Sequence, residues 1–266
     1  AYLHSKTCSI FGQVFHFIGL IFLAIIRFSA DILELNFPDQ IERTSNMKRI
    51  FVFFLICLLT TTTLLSQQTE TSIKESFETL KKNDVNLRHR LDKLEKAIDD
   101  VLWHQRVGDV AFIDKVFMTG PPLWKEKNPT ALGAGNPVKM WSYVFIPKDI
   151  DVTKKYPLMV FPHGGVHSDF STYYTHIVKE LVAQQYIVVA AEYRGSTGYG
   201  KSFYEKIDYG GLEVEDVRAS KDFMLENYEF VDKNRVGIMG WSHGGLISLM
   251  NIFEHPKEYK VAFAGV

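Results

Sequence analysis

The feature that most constrains this chain is a glycine-flanked turn, Gly-Trp-Ser-His-Gly at 240–244, between an apolar segment and a helical one. In a nucleophile elbow a strand turns sharply into a helix, and the serine at the turn adopts a strained backbone. Side chains two residues before and after Ser242 would collide with neighbouring elements, which explains the two glycines. The pattern therefore predicts an exposed nucleophile at Ser242, with the amide of His243 directed at a developing oxyanion. The alternative is a plain strand-to-helix turn with a buried serine.

A second motif lies upstream, where Phe161-Pro162-His163-Gly164-Gly165 follows another apolar segment. Such a turn can present backbone N–H groups beside an elbow, so His163 and Gly164 are predicted to supply the second oxyanion donor. The alternative is a glycine turn in which His163 only caps a strand.

A third motif, residues 195–202, satisfies the P-loop pattern G-x-x-x-x-G-K-[ST] in full. A P-loop requires a long helix starting at its lysine, whereas here two glycines, 210–211, follow after about two turns of helix. Apolar strands elsewhere end in His163 and Ser242, not in an aspartate for Mg²⁺. We therefore predict a tight turn on the rim of the site, with Arg194 and Tyr199 near substrate, and keep a nucleotide binder as a remote alternative.

From Lys139 onward, apolar β-branched segments alternate with helical ones. Strands are predicted at 140–146, 156–162, 186–191, 236–240 and 260–264, and helices at 172–184, 211–227 and 246–254. Continuous apolar strands separated by helices indicate an α/β fold, with a mostly parallel sheet covered by helices on both faces. Ligands of such sheets bind at the carboxyl ends of the strands, where all three motifs fall.

Together, Glu192-Tyr193-Arg194-Gly195-Ser196-Thr197-Gly198-Tyr199-Gly200, the turn 240–245 and His255-Pro256 resemble the catalytic domain of the prolyl oligopeptidase family, over about residues 139–266. The resemblance implies an α/β-hydrolase, a serine peptidase acting on peptide bonds through an acyl-enzyme on Ser242. It also implies oxyanion donors at His243 and at His163-Gly164, and neither metal nor cofactor. Family members usually carry a β-propeller, but residues 67–138 are too few for one and show no blade repeat. A carboxylesterase is therefore the alternative, and the partner is a peptide or ester.

The fold places the triad aspartate and histidine after the serine. We expect residues 139–266 to be a partial catalytic domain, truncated before them and inactive as given, because serine without its base loses most of its rate. The other histidines are poor substitutes. The side chain of His243 should point away from Ser242, and His255 lies about three turns along the helix; the rest are His163, His167 and His176.

Two apolar blocks, 10–28 and 50–65, lie near the start of the chain. The second follows Met47-Lys48-Arg49, and its core, 50–59, is short for a bilayer of ~30 Å. We predict a signal peptide at 47–66, a secreted or periplasmic protein, and residues 1–46 as a non-native upstream extension. The alternative is a membrane anchor with residues 1–46 carrying its first segment. Both cysteines, Cys8 and Cys57, fall in this region, so the mature protein would hold no disulfide.

Residues 67–138 are predicted to be a helical extension followed by a linker, with loops at 120–122 and 128–137. Apolar residues recur at a 4-3 spacing broken only by Asp84, namely Ile73, Phe77, Leu80, Leu87, Leu91, Leu94, Ile98 and Val101. This predicts an amphipathic helix of coiled-coil type, which either packs on its own domain, the favoured interpretation, or self-associates through 73–101. A tethered, non-catalytic domain is thus another candidate. The net charge of −1 gives no indication of a nucleic-acid partner.

Overall fold

The computed structural model describes Arg27, residues 40–123, Lys125 and residues 127–266. The predictions for 1–46 and for the apolar block 10–28 fall almost entirely outside these residues. The chain divides into two compact units, Ala1–Phe77 and Glu78–Val266. The second unit holds all three motifs.

Helix α1 extends over Gln40–Val107, so the helix predicted from residue 67 begins much earlier. In the described part of the chain, α1 is the one helix with a stretch long and apolar enough to cross a membrane. A signal sequence meets the same criterion, and the signal peptide at 47–66 stays a prediction.

Six strands form one sheet in the order β1-β2-β4-β3-β5-β6. Their bounds are β1 Ala111–Pro122, β2 Pro137–Pro147, β3 Tyr156–Val160, β4 Ile187–Ala191, β5 Val231–Trp241 and β6 Val261–Gly265. The four strands β4, β3, β5 and β6 are parallel, and β1 and β2 join them antiparallel. The predicted α/β-hydrolase fold with a mostly parallel sheet is confirmed.

The loop predicted at Gly120-Pro121-Pro122 is wrong, because these residues end strand β1. Proline cannot donate to a sheet ladder, and β1 is an edge strand where a missing donor costs little. The pairing with β2 shifts register between Gly120 and Pro122, which accommodates the two prolines. The sheet therefore starts before Lys139, inside the segment expected to be a linker.

Helices cover both faces of the sheet. A 3-10 turn at Thr172–Tyr174 leads into α2 at Thr175–Ala183, and the later helices are α3 Lys201–Tyr204, α4 Leu212–Asn227 and α5 His243–Glu254. Residues alternate between the two faces along each strand. In β4, Ile187, Val189 and Ala191 pack with α4 and α5, whereas Val188 and Ala190 pack with α2 and the end of α1.

The part of helix α1 that belongs to the second unit packs on the sheet through a face other than the predicted apolar one. Trp103 and Val107 are fully buried in the sheet-facing cluster, and Trp103 stacks on Phe170 with ring centroids 5.5 Å apart. Lys96 is also buried. The helix therefore packs on its own domain, as favoured, but its 4-3 apolar residues from Leu80 to Val101 are exposed and take no part in that packing.

Candidate active site

The predicted elbow lies where β5 passes into α5. Ser242 has φ 54° and ψ −123°, a left-handed conformation that costs a non-glycine residue about 1–3 kcal/mol. It is exposed, and its side chain makes no capping hydrogen bond to α5, all of whose residues are described. Its backbone is fixed on both sides, since its N–H donates to Gly265 (3.0 Å) and its carbonyl accepts from Leu246 (3.0 Å). The hydroxyl is thus presented to solvent on a fixed turn.

The flanking glycines are required by close backbone approach. A Cβ on Gly240 would lie 2.5 Å from the carbonyl carbon of Gly244 and closer to its oxygen. A Cβ on Gly244 would lie 2.7 Å from the carbonyl oxygen of His163 and closer to that of Pro162. The elbow and the upstream turn therefore touch through backbone, at a separation that only glycine permits.

The turn at His163-Gly164 lies beside the serine, as predicted. A Cβ on Gly164 would be 2.8 Å from the carbonyl oxygen of Trp241 and 3.6 Å from the Cβ of Ser242. The Gly164 amide donates to the hydroxyl of Tyr174 at 3.1 Å. The amide expected to serve an oxyanion is therefore held by Tyr174, a residue that the sequence did not single out.

The ring of His163 is fully buried and committed to protein partners. Its Nε2 lies 2.9 Å from the hydroxyl of Ser196, and the ring stacks on Tyr193 with centroids 4.1 Å apart. The Tyr193 hydroxyl donates to the carbonyls of His163 (3.1 Å) and Gly165 (3.0 Å). These contacts leave the backbone of the turn, not the imidazole, facing the elbow.

Burial lowers the pKa of His163 to about 4 from its ordinary 6.5, so folding requires the neutral ring. Below pH 6.5 the imidazole becomes protonated in the unfolded chain but stays neutral in the folded chain. The contribution of this group to the free energy of unfolding therefore falls as the pH drops toward 4. We expect the stability difference between wild type and His163→Gln to be largest at pH 7 and to shrink by on the order of 2–3 kcal/mol at pH 4. Urea unfolding at several pH values measures it; a difference independent of pH would contradict a buried neutral histidine.

A buried ion pair stands behind this turn. Glu192 is fully buried, and its carboxylate lies 2.7 Å from Nζ of Lys96 and 3.7 Å from Nε2 of His163. Burial raises the pKa of Glu192 to about 7, against the opposing charge of Lys96. Lys96 also contacts Asp169 at 2.8 Å. Helix α1 thus supplies the cation for the carboxylates beneath the candidate site.

The predicted donor His243 has a buried ring whose Nε2 makes no hydrogen bond within the described residues. The ring is buried, 5.9 Å from the ring of Tyr193 between centroids, with Nε2 3.3 Å from the carboxylate of Glu213. His255 pairs with Glu215 at 2.7 Å. Its nitrogen and the carboxylates of Glu215 and Glu254 lie within 4.8 Å of one another, but this partly exposed group is explained by ion pairing.

Arg194 and Tyr199 are not on a solvent-facing rim, contrary to the prediction. Arg194 is fully buried and its hydrogen bonds are made within the protein. Its Nε and one terminal nitrogen donate to the carboxylate of Asp216, each at 2.8 Å, and the same terminal nitrogen donates to the carbonyl of Pro121 at 2.7 Å. The Tyr199 hydroxyl is buried without a hydrogen-bond partner among the described residues, and burial raises its pKa well above the ordinary value. Both side chains belong to the packing of the domain.

The P-loop-like segment is a tight turn, as expected. The helix that follows, α3, has four residues, too few for the long helix of a phosphate loop. A Cβ on Gly198 would lie 2.7 Å from the Cβ of Lys96, so the glycines allow the loop to pack on α1. Lys201 faces Glu205 at 3.7 Å.

Residues 172–266 match the Prolyl oligopeptidase family. Among curated proteins, the chain is 32% identical to dipeptidyl peptidase 8 of Homo sapiens over 133 residues, which covers 47% of this chain and 15% of that protein. It is 36% identical over 110 residues to the acylamino-acid-releasing enzyme of Rattus norvegicus (41% and 15% covered). It is 32% identical over 133 residues to dipeptidyl-peptidase 5 of Porphyromonas gingivalis (48% and 19%). The chain thus spans less than a fifth of the length of these relatives.

Solved structures include a puromycin-hydrolyzing peptidase of Mycobacterium tuberculosis, with 25% identity and a TM-score of 0.45 over 56% of this chain and 22% of that one. An acylaminoacyl peptidase of Pyrococcus horikoshii has 18% identity and a TM-score of 0.46, covering 60% and 24%.

Proposed function

Since residues 172–266 match the prolyl oligopeptidase family, we propose that Ser242 is the nucleophile of a serine peptidase that cleaves peptide bonds through an acyl-enzyme. The observation that carries the proposal is the backbone of Ser242, left-handed and exposed between a buried strand and a helix. A buried structural serine would not need so costly a conformation.

In this mechanism the Ser242 hydroxyl adds to the substrate carbonyl while a base removes its proton. The resulting oxyanion is stabilised by the amide of His243, the first residue of α5, where the helix dipole is positive. The Gly164 amide becomes a second donor if it exchanges the Tyr174 hydroxyl for the oxyanion. The tetrahedral intermediate then expels the amine, and water hydrolyses the ester on Ser242.

The two buried histidines beside the elbow do not act as the general base in this mechanism. Of the histidines described near the elbow, His163 is held by Ser196 and Tyr193, and His243 lies beside Glu213. Neither histidine makes a hydrogen bond to Ser242 among the described residues.

A fluorophosphonate probe tests the nucleophile in the protein expressed from its complete gene. We expect one labelled serine, Ser242, and complete loss of labelling in Ser242→Ala. The matched control is Ser202→Ala, an exposed serine of the glycine-rich turn, which should label like the wild type. Labelling that survives Ser242→Ala, or a folded wild-type protein that does not react, would overturn the proposal.

A carboxylesterase is the second candidate for the same serine, and the leaving group separates the two. We expect the protein to hydrolyse peptide anilides measurably faster than the uncatalysed reaction. This hydrolysis should vanish in Ser242→Ala. Hydrolysis of short-chain esters alone, at a rate dependent on Ser242, would instead identify an esterase.

A further inference from the structure

Helix α1 carries an apolar face that its own domain leaves uncovered. Six of its side chains, 50% to 68% exposed, define what we call the heptad stripe: Leu80, Leu87, Leu91, Leu94, Ile98 and Val101. Single exposed apolar residues are common, but a continuous row of large ones marks an interaction site. The 4-3 spacing keeps the row on one side of the helix over three heptads.

The stripe faces away from the domain because a different face of α1 is docked there. Lys96 and Trp103, which are seven residues apart, are 4% and 0% exposed. When the stripe residues occupy positions a and d of a heptad, Lys96 and Trp103 both occupy position f, opposite the a/d seam. The domain binds the back of the helix, so it cannot fold over the stripe.

The order of residues in the stripe matches one type of partner. Leu80, Leu87 and Leu94 take position d, and the one polar residue, Asp84, takes position a. Leucine at d with a single polar residue at a is typical of parallel two-stranded coiled coils, in which the polar residue fixes the register. An identical helix presents the complementary knobs and holes.

The flanking charges suit a second copy of the same helix. In a parallel pair, position g of one helix faces position e of the next heptad on the other, so Arg90 meets Glu95 of the other copy. Both residues are exposed and therefore available. We propose that a second copy of this chain binds the heptad stripe, forming a parallel two-stranded coiled coil.

Asp84 limits the strength of this dimer. In one copy it pairs with Arg88 at 3.0 Å on the exposed surface. In the coiled coil the two Asp84 side chains meet in the same layer, where like charges repel. Three heptads with such a layer form a weak dimer, so association depends on protein concentration.

Sedimentation equilibrium of the full chain, in density-matched detergent to accommodate the apolar segment of α1, tests the proposal. We expect a monomer–dimer equilibrium that Leu91→Lys/Leu94→Lys weakens at least about tenfold and Asp84→Leu tightens about tenfold, since one buried polar layer costs stability. Leu132→Lys is the matched control, because Leu132 is fully exposed on a loop outside α1 and should leave the dimer unchanged.

Orientation is tested by cross-linking. Full chain with Cys8→Ser and Cys57→Ser, carrying Leu80→Cys at the end of the stripe, should form a covalent dimer with a short bismaleimide, because only a parallel pair brings the two copies of residue 80 together. Leu132→Cys should not be cross-linked. A monomeric wild type, or a dimer indifferent to the two lysines, overturns the proposal. Vesicle binding by a monomer, abolished by the lysines, would overturn it in favour of a lipid surface, and a stable complex with a different protein would do so in favour of a heterologous partner.

Discussion

Replacement of Asp216 with alanine is expected to lower the free energy of unfolding by about 3–5 kcal/mol, because it leaves a buried guanidinium without its counter-charge. Arg194 and Asp216 are both fully buried and joined by two side-chain hydrogen bonds. Asp216 also accepts the backbone N–H of Arg194 at 2.9 Å, so the substitution removes three bonds. A loss this large is a substantial part of the stability of an ordinary domain.

The measurement is urea unfolding of the full chain, monitored in the second unit by fluorescence of its buried Trp103. Asp222→Ala is the matched control, since it removes a partly exposed acid from the same helix α4 and should cost less than about 1 kcal/mol. The double variant Arg194→Met/Asp216→Leu should recover much of the loss, because a neutral pair needs no counter-charge. A cost below 1 kcal/mol for Asp216→Ala would show that Arg194 finds another partner.

Gly244→Ala is expected to lower stability by about 3 kcal/mol and to abolish labelling of Ser242 by a fluorophosphonate, the overpacking cost being at the upper end for a core site. The added methyl would strike the carbonyl oxygens of Pro162 and His163. Those atoms belong to the turn proposed to supply an oxyanion donor, so relief of the clash moves the turn away from the serine. One methyl group thus affects folding and chemistry together.

Gly135→Ala separates this clash from the general cost of replacing a glycine. Gly135 has φ 76°, and a Cβ there would meet no atom within 4 Å. Its replacement should cost about 1 kcal/mol through backbone strain alone and leave labelling intact. Equal losses in the two variants, or normal labelling of Gly244→Ala, would contradict the close packing of elbow and turn.

The elbow could be predicted because its constraints are local. The two glycines and Ser242 are close in sequence, and the apolar segment and helix beside them fix the direction of the turn. The upstream turn at 161–165 could be predicted for the same reason. The strands were equally readable, since β3 and β4 are continuous apolar runs of the kind that parallel sheets bury on both faces.

The buried charges could not be predicted, because their partners are remote. Lys96 looks like any surface lysine of a helix, and its partners Asp169 and Glu192 lie far along the chain. Arg194 stands directly before the glycine-rich turn, which favours a position on the rim of the site. Its burial is explained only by its ion pair with Asp216 on another element. The strand β1 was hidden by prolines, whose exclusion from sheets does not hold at an edge.

The heptad pattern correctly predicts a helix that packs on its domain, but it does not show which face of the helix makes the contact. Periodicity identifies which residues share a side of a helix, but not what that side meets. Here the domain contacts the face that carries Lys96, Trp103 and Val107. This face has only two buried apolar residues and one charge, so it does not stand out in the sequence. Only the position of the sheet decides between the two faces.

The contact between Lys96 and Glu192 has a consequence for how this fold can be inherited. The family model matches residues 172–266, yet the cation that balances a buried acid there comes from α1. A recombination event that exchanged residues 139–266 alone would carry Glu192 into a new gene without Lys96. The carboxylate would then have to be protonated or paired with another cationic side chain. The segment that can be transferred intact therefore begins at Glu78, where the second compact unit starts, and not where the match to the family model starts.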